Sequence, residues 1–229
     1  MIISHKHKFI FVKTPKTAGT SVEIALSKYC GPEDVLSGLI RKDENMRREL
    51  GYPGAQNFRL PLSRYTTGDT VRCLRKRKPL YFFNHARALF IRNHVDAETW
   101  DNYYKFSFER NPWDKLISMY YWVHKEDPRP SILEYAKSTE FKNFRTRSWN
   151  MYTDDSKVIV DKVFRYDKIP QALAEIQQKI GLDELPILPL TKNTQRKDKR
   201  TYREILSEEC REIVTDLFDQ EIDLFGFQW

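Results

Sequence analysis

The sequence predicts a single α/β domain with a mostly parallel central sheet flanked by helices. Three times along the chain an apolar run is followed by a turn and an amphipathic helix, and strands alternating with helices build parallel sheets. The 229 residues suit one domain, and no linker long enough to separate two domains interrupts them. Hydrophobic residues make up 40% and charged residues 31% of the chain, which excludes a wholly disordered protein.

The first two strand–turn–helix units lie in the first 122 residues. Residues 8–13, KFIFVK, form an apolar run ending in a Pro-containing turn, and an amphipathic stretch over residues 21–29 follows. Residues 103–109, YYKFSFE, predict a second strand, and the apolar positions of residues 113–122 have helical spacing.

The third unit begins with the apolar residues 158–164. A helix follows, started by Pro170 and stopped by Gly181. The last helix is expected over residues 207–218. The least periodic part, residues 31–83, predicts a variable insertion and not part of the scaffold.

The net charge of +7 is concentrated in two basic clusters. Residues 72–78 contain five Lys or Arg residues, and residues 192–203 contain six against a single acid, Asp198. Such clustering predicts an anionic ligand, and a solvated basic surface is the alternative.

Cysteine usage and the N-terminal sequence predict a cytoplasmic protein. Cys30, Cys73 and Cys210 are odd in number and far apart, so they favour neither a disulfide framework nor a CxxC zinc site. Residues 1–12 never give the uninterrupted apolar run of a signal peptide or membrane anchor, and no membrane span is expected.

The turn after the first strand, residues 13–21, has the composition of a phosphate cradle. Its sequence KTPKTAGTS brings backbone N–H groups, hydroxyls and Lys16 to the start of a helix, whose dipole favours an anion. The GxxxxGK[ST] spacing of nucleotide triphosphatases fails, because Thr14 replaces the first Gly and Thr20 follows Gly19. The alternative, a Thr-capped helix after a Pro turn, does not explain a lysine inside the loop.

Two motifs together resemble a known family. Residues 15–21, PKTAGTS, resemble the 5′-phosphosulfate loop of sulfotransferases that use 3′-phosphoadenosine 5′-phosphosulfate (PAPS), in the carbohydrate sulfotransferase superfamily. Residues 106–121, FSFERNPWDKLISMYY, resemble its 3′-phosphate motif, with Arg110 and Ser118 at the phosphate-holding positions. The resemblance runs almost end to end and implies the P-loop-kinase-like sulfotransferase fold.

The resemblance implies PAPS as sulfuryl donor, adenosine 3′,5′-bisphosphate (PAP) as product and no metal. Lys16 is expected to stabilise the leaving phosphate oxygen. The residues expected to bind the cofactor are Lys16, Thr17, Ala18, Gly19, Thr20, Ser21, Arg110, Ser118, Lys199, Arg200 and Tyr202. For the last three, an exposed basic surface is the alternative.

Sulfuryl transfer needs a group that accepts the acceptor's proton, and histidine suits this role near neutral pH. His85 lies in a segment that resembles the family's His-Ala segment, and it is the predicted base; a structural histidine is the alternative. His5 and His7 are expected in a charged tail ahead of the first strand, where two ligands without a third do not predict a metal site. His94 and His124 are expected to be caps or surface residues.

The expected activity is therefore metal-independent transfer of a sulfuryl group to a hydroxyl or amine of a saccharide or small-molecule acceptor. An anionic acceptor would suit the basic residues 72–78, and the variable insertion of residues 31–83 is expected on the acceptor side of the domain. The alternatives are an atypical nucleotide kinase and a basic nucleic-acid-binding protein, although no nucleic-acid signature accompanies the charge. The sequence leaves the acceptor and the oligomeric state open.

Overall fold

A computed structural model describes residues 1–189, 198 and 200–229, and these residues form seven strands. The strands are β1 (Ile2–Ser4), β2 (Phe9–Phe11), β3 (Val35–Leu36), β4 (Tyr104–Glu109), β5 (Thr153–Asp154), β6 (Lys157–Val158) and β7 (Lys162–Arg165). Five of them form one sheet in the order β3-β1-β2-β4-β7, and β5 and β6 form a separate antiparallel hairpin.

Three neighbouring strands form the parallel half of the sheet. Strands β2, β4 and β7 run parallel, with Phe11 opposite Phe106 and Phe108 opposite Phe164. Strands β1 and β3 extend the sheet by antiparallel pairing. The α/β fold class and the central sheet are confirmed, and the antiparallel edge is an addition that the sequence pattern did not predict.

The residues before the predicted first strand are not a charged tail. Residues 2–4 are buried as β1, and His5 and His7 lie in the tight turn that leads into β2. A three-residue strand leaves too short a pattern for periodicity to detect. The third predicted strand, residues 158–164, is also displaced, because Val158 pairs in the hairpin and β7 begins at Lys162.

Twelve α-helices surround the sheet in the part of the chain that is described. They are α1 (Gly19–Ser27), α2 (Arg41–Glu49), α3 (Thr67–Lys76), α4 (Ala88–Arg92), α5 (Ala97–Asn102), α6 (Pro112–Val123), α7 (Ile132–Lys137), α8 (Thr139–Trp149), α9 (Ile169–Ile180), α10 (Tyr202–Ile205), α11 (Glu208–Leu217) and α12 (Asp219–Phe225). Short 3₁₀ turns occur at Leu62–Arg64 and Tyr166–Lys168.

Two of the three helices after the parallel strands, α6 and α9, begin and end within one residue of the predicted positions, whereas α1 lies two residues earlier than the predicted residues 21–29. The Asn111 side chain accepts hydrogen bonds from the first-turn N–H groups of α6, and Pro112 occupies its first position. Helix α9 ends at Gly181, whose φ of 66° is in the left-handed region that glycine adopts without strain.

The segment 31–83 is partly built into the core. It contributes β3 to the sheet, and the Arg47 side chain of α2 is fully buried, with its guanidinium 3.4 Å from the Glu23 carboxylate of α1. Helix α3, by contrast, has no buried residue. Its assignment as an acceptor-side insertion stays a prediction.

Aromatic side chains fill the space between the sheet and helices α1 and α9. Phe106, fully buried in the central strand β4, has its ring centroid 5.5 Å from that of Phe11 and 5.8 Å from that of Phe9. Phe108 and Phe164 extend the same cluster. This packing fixes the spacing of the strands whose ends form the site described below.

Phe106→Ala should lower the free energy of unfolding by about 3–5 kcal/mol, because it removes a ring from the middle of this cluster and leaves a cavity. Urea unfolding followed by tryptophan fluorescence measures the loss. The control is Leu50→Ala, at a side chain 45% exposed, for which a change within about 0.5 kcal/mol is expected. Equal effects of the two substitutions would contradict the central role of Phe106.

Candidate active site

A cavity of about 1290 Å³ opens at the carboxyl ends of the parallel strands. Its walls include residues directly after β2, Arg110 directly after β4, and Tyr166 directly after β7. Ligands of open α/β sheets bind outside the carboxyl ends of the strands, so this is the expected place for a site.

The loop between β2 and α1 is held in an unusual backbone conformation. Lys16 and Ala18 both have positive φ angles, 65° and 56°. The Thr14 hydroxyl donates a hydrogen bond to the carbonyl of Phe108, which ties the loop to the neighbouring strand. A Cβ atom on Gly19 would lie 2.7 Å from the Lys13 side chain, so only glycine fits at this point.

The predicted phosphate-loop residues do not all face the cavity. Lys16, Ala18, Gly19, Thr20 and Ser21 line it, at the N-terminus of α1. The Thr17 side chain is buried, and its hydroxyl contacts the Thr14 hydroxyl at 2.9 Å and donates to the Thr14 carbonyl at 3.1 Å. Thr17 therefore holds the loop in shape, and only its backbone remains available to an anion.

Arg110 connects the two motifs. One guanidinium nitrogen donates to the Ser118 hydroxyl at 3.0 Å and to the Lys16 carbonyl at 3.1 Å. Another nitrogen donates to the Asp114 carboxylate at 2.7 Å. Arg110 therefore makes the ion pair with Asp114 and the contact with Ser118 at the same time. The arginine, the serine and the phosphate loop meet at one position.

Two aromatic rings flank the basic groups of this site. The Arg110 guanidinium lies 4.4 Å from the centroid of Tyr166, and the Lys16 ammonium lies 4.6 Å from that of Trp122. Both distances are in the range of cation–π contacts. Sequence reasoning did not assign Trp122 a role, although its position one turn after Ser118 on α6 places it on the same helix face.

A buried polar network supports Arg110 from behind. The Glu109 carboxylate accepts hydrogen bonds from the Arg110 backbone N–H at 2.7 Å, from the Lys115 ammonium at 2.5 Å and from the Tyr152 hydroxyl at 3.0 Å. Burial raises the pKa of Tyr152 well above its usual value, so the hydroxyl remains a donor to this carboxylate. The strand end that carries Arg110 is therefore fixed on its inner side.

His85 lines the same cavity, and its hydrogen bond defines its tautomer. Nδ1 lies 2.8 Å from the Lys13 carbonyl oxygen, which can only accept, so Nδ1 carries the proton. The lone pair is then on Nε2. The side chain is exposed at the cavity, but the protein around it partly desolvates the imidazolium, and with the nearby Lys13 charge this lowers the pKa of His85 to about 4. His85 is therefore neutral at pH 7.

Lys13 links the histidine to the phosphate loop, a role that sequence reasoning missed. Its buried ammonium lies 2.9 Å from the Glu23 carboxylate of α1 and 2.7 Å from the Asn84 side-chain oxygen. Because Asn84 precedes His85, and the Lys13 carbonyl bonds the imidazole, one residue holds both neighbours in place. Lys13 comes just before a turn that contains a second lysine, Lys16, and this position gives no sequence signal for its role.

Part of the cavity wall outside the phosphate loop combines guanidinium groups with apolar side chains. Arg72, Arg87 and Arg147 line it from three separate segments. None of the three pairs with a carboxylate within the described part of the chain. The apolar residues of this wall are Phe83, Leu89, Phe90, Met119, Phe144 and Met151. Only Arg72 belongs to a basic cluster visible in the sequence.

Of the C-terminal residues predicted to bind the cofactor, Arg200 and Tyr202 do not line the cavity. Arg200 is mostly exposed and paired with Asp198 at 2.7 Å. Tyr202 packs between Trp113 and Trp229, with ring centroids 6.4 Å and 5.3 Å away. Lys199 lies outside the described residues. Cofactor contacts of these three residues stay predictions.

Two of the remaining histidines, His5 and His94, do not line the cavity and have polar partners elsewhere. Nδ1 of His5 contacts the Tyr103 hydroxyl at 2.8 Å, and Nε2 of His94 contacts the Asp69 carboxylate at 2.8 Å. In residues 1–189, 198 and 200–229, no three His, Cys, Asp or Glu side chains cluster with metal-site geometry. Over the same residues, no helix combines the length and apolar character needed to cross a bilayer.

Comparison with known proteins gives a family and one informative relative. An uncharacterized protein of Archaeoglobus fulgidus is 36% identical over 124 residues, which is 52% of this chain and 98% of the relative. No solved structure gives a significant match. A family model described as sulfotransferase family matches residues 1–228, almost the whole chain. The mixed α/β fold with its mostly parallel centre agrees with this match, and the chain belongs to the sulfotransferase family.

Proposed function

We propose that this protein transfers the sulfuryl group of PAPS to a hydroxyl or amine of an anionic saccharide or small metabolite and releases PAP. The observation that carries the proposal is the convergence of Arg110, Ser118 and the Lys16 carbonyl. It joins the two motifs that the sequence predicts for the two ends of one nucleotide. Membership of the sulfotransferase family supports the reaction class.

The residues present fit a nucleotide with anions at both its 3′ and 5′ positions. Arg110 and Ser118 would hold the 3′-phosphate by charge-assisted hydrogen bonds. The N-terminal turn of α1, with Thr20 and Ser21 facing the cavity, would hold the 5′ end through backbone N–H groups and hydroxyls. ATP has no 3′-phosphate for Arg110 to hold, which favours PAPS over the kinase alternative.

Lys16 is suited to the leaving group. In the transfer, the acceptor oxygen or nitrogen forms a bond to sulfur while the bond from sulfur to the bridging phosphate oxygen breaks. Negative charge collects on that oxygen, and a positioned ammonium group stabilises it. Lys16 lies inside the phosphate loop with its ammonium held over Trp122, next to where the 5′ end would bind.

His85 is suited to accept the acceptor's proton. Its proton is on Nδ1, which donates to the Lys13 carbonyl, so the lone pair of Nε2 is available to accept a proton. The neutral form dominates at pH 7. The proton lost by the attacking group would pass to Nε2. The low pKa of His85 would rise when the negatively charged donor binds, because a nearby anion favours the imidazolium.

The arginine-lined wall supports an anionic acceptor. Three guanidinium groups without carboxylate partners in the described chain share a cavity with apolar side chains. Cations left unneutralised in a concave site attract anions, and planar guanidinium groups match carboxylate, phosphate and sulfate oxygens. A uronic-acid-containing or already sulfated saccharide has this chemistry. The proposal also includes the cytoplasmic location and the absence of a nucleic-acid partner expected from the sequence.

Arg110→Ala should weaken PAP binding by about tenfold to 100-fold, because it removes charge-assisted hydrogen bonds to the 3′-phosphate. Calorimetric titration measures this, with ATP tested beside PAP and expected to bind poorly. The matched control is Arg48→Ala on the exposed face of α2, which should leave PAP binding unchanged. Folded wild-type protein that binds ATP more tightly than PAP would refute the donor assignment.

His85→Ala should lower the transfer rate by about 100-fold or more while PAP binding stays within about twofold of wild type. In the wild type, the rate should fall as pH decreases and the imidazole becomes protonated, with an apparent pKa at or above 4. The variant should lack this acid limb. His5→Ala serves as control. An identical pH profile in the His85 variant would assign the proton transfer to another group.

Arg147→Ala should raise KM for an anionic acceptor by about tenfold, the effect of losing one charge-assisted contact, while kcat and PAP affinity change little. The comparison needs two acceptors that differ only in a carboxylate or sulfate group. Exposed Lys142, on the same helix α8, gives the control Lys142→Ala. Equal losses with the charged and neutral acceptors would show that Arg147 does not recognise the anion.

A further inference from the structure

The surface segment over residues 62–78, here called the rim segment, exposes aliphatic side chains to solvent. Leu62 is 76% exposed, Leu74 is 75% exposed and Val71 is 60% exposed. Val71 and Leu74 are three residues apart on α3 and therefore share one helix face. Single exposed aliphatic residues are common on proteins, but a helix that turns a pair of them outward is a candidate interaction surface.

The rim segment also carries the densest positive charge of the described chain. Its basic residues are Arg64, Arg72, Arg75, Lys76, Arg77 and Lys78. Arg64 pairs with Asp96, whereas the other five have no carboxylate partner within the described residues. An amphipathic helix with an apolar face and unpaired Lys and Arg is the pattern of a segment that lies on a membrane surface.

The outward aliphatic face is held in place. The Thr66 and Asp69 side chains form a capping box at the start of α3, and the Asp69 carboxylate also contacts Nε2 of His94, a buried residue of the body of the domain. The only acid of α3 thus faces inward. Its aliphatic and basic side chains are left for a partner.

The rim segment lies at the mouth of the active-site cavity. Arg72 of α3 lines the cavity, and so does Phe83, which follows the segment and is itself 50% exposed. A surface in contact with α3 would therefore lie next to the cavity. This places a membrane-bound acceptor within reach of the site, and it separates the docking function from the donor motifs on β2 and β4.

From these observations we infer that the rim segment docks the protein onto an anionic lipid surface, so that acceptors at the membrane reach the cavity. Unpaired Lys and Arg complement anionic headgroups, and Leu62, Val71 and Leu74 enter the boundary between headgroups and acyl chains. A soluble polyanion would use the charges alone and leave the exposed aliphatic face without a function. Binding to the lipid surface does not depend on the proposed transfer reaction, whereas the access of membrane acceptors to the cavity rests on it.

Flotation of the full chain with lipid vesicles tests the docking surface without any measurement of activity. Vesicles of phosphatidylcholine alone are compared with vesicles of phosphatidylcholine and phosphatidylglycerol in equal parts. The wild type should float with the anionic vesicles only. Val71→Ser combined with Leu74→Ser should weaken this binding about tenfold through the loss of buried apolar area. Arg75→Glu combined with Arg77→Glu should weaken it about tenfold or more.

Matched variants elsewhere on the surface separate docking from general stickiness. Lys142→Glu combined with Lys157→Glu changes the net charge equally, and Leu224→Ser removes an aliphatic side chain that is 51% exposed. Both should leave vesicle binding within about twofold of wild type, since neither lies in the rim segment. Circular dichroism and PAP binding establish that every variant is folded.

Three results would overturn the inference. Wild-type protein that does not float with anionic vesicles has no such surface. Flotation that the double serine variant retains, and that dextran sulfate competes away, assigns the charges to a soluble polyanion. An equal loss with the Lys142 and Lys157 charge reversals attributes binding to net charge alone.

Discussion

The contact of one guanidinium group with Ser118 and with the Lys16 carbonyl determines the geometry of the site. Arg110 stands at the end of β4, Ser118 on the helix that follows, and Lys16 in the loop after the neighbouring strand. A parallel register between β2 and β4 is what brings these three positions to one edge. The aromatic packing beneath the sheet and the Glu109 network behind the strand end keep that edge rigid.

The charged side chains around the cavity fall into two sets with different roles. The first set consists of buried ion pairs, Lys13 with Glu23 and Lys115 with Glu109. These charges are already compensated, so they position neighbouring groups and do not attract a ligand. The second set consists of Arg72, Arg87 and Arg147, which line the cavity and have no carboxylate partner in the described chain. We therefore propose that the paired charges position neighbouring groups and that the unpaired arginines recognise the ligand.

The donor side could be predicted from the sequence because it depends on short-range order. A loop of seven residues and an arginine eight residues before a serine each follow a strand, so linear spacing translates directly into proximity. The acceptor wall could not be predicted in this way. Arg87 and Arg147 are sixty positions apart and line the same cavity only in the folded chain. The contact of buried Lys13 with Asn84 was missed for the same reason, whereas β1 was missed because three residues are too short a run for a periodic pattern.

The separation of the two walls along the chain also bears on how such a protein can change. The donor side is built on the ends of β2 and β4, which the hydrophobic core holds, whereas α3 has no buried residue and contributes little to that core. Substitutions on α3 therefore cost little folding free energy. Under the proposed function, an evolving or redesigned chain can alter α3 in small steps while the residues at the strand ends stay unchanged, which makes α3 a natural starting point for libraries aimed at new acceptors.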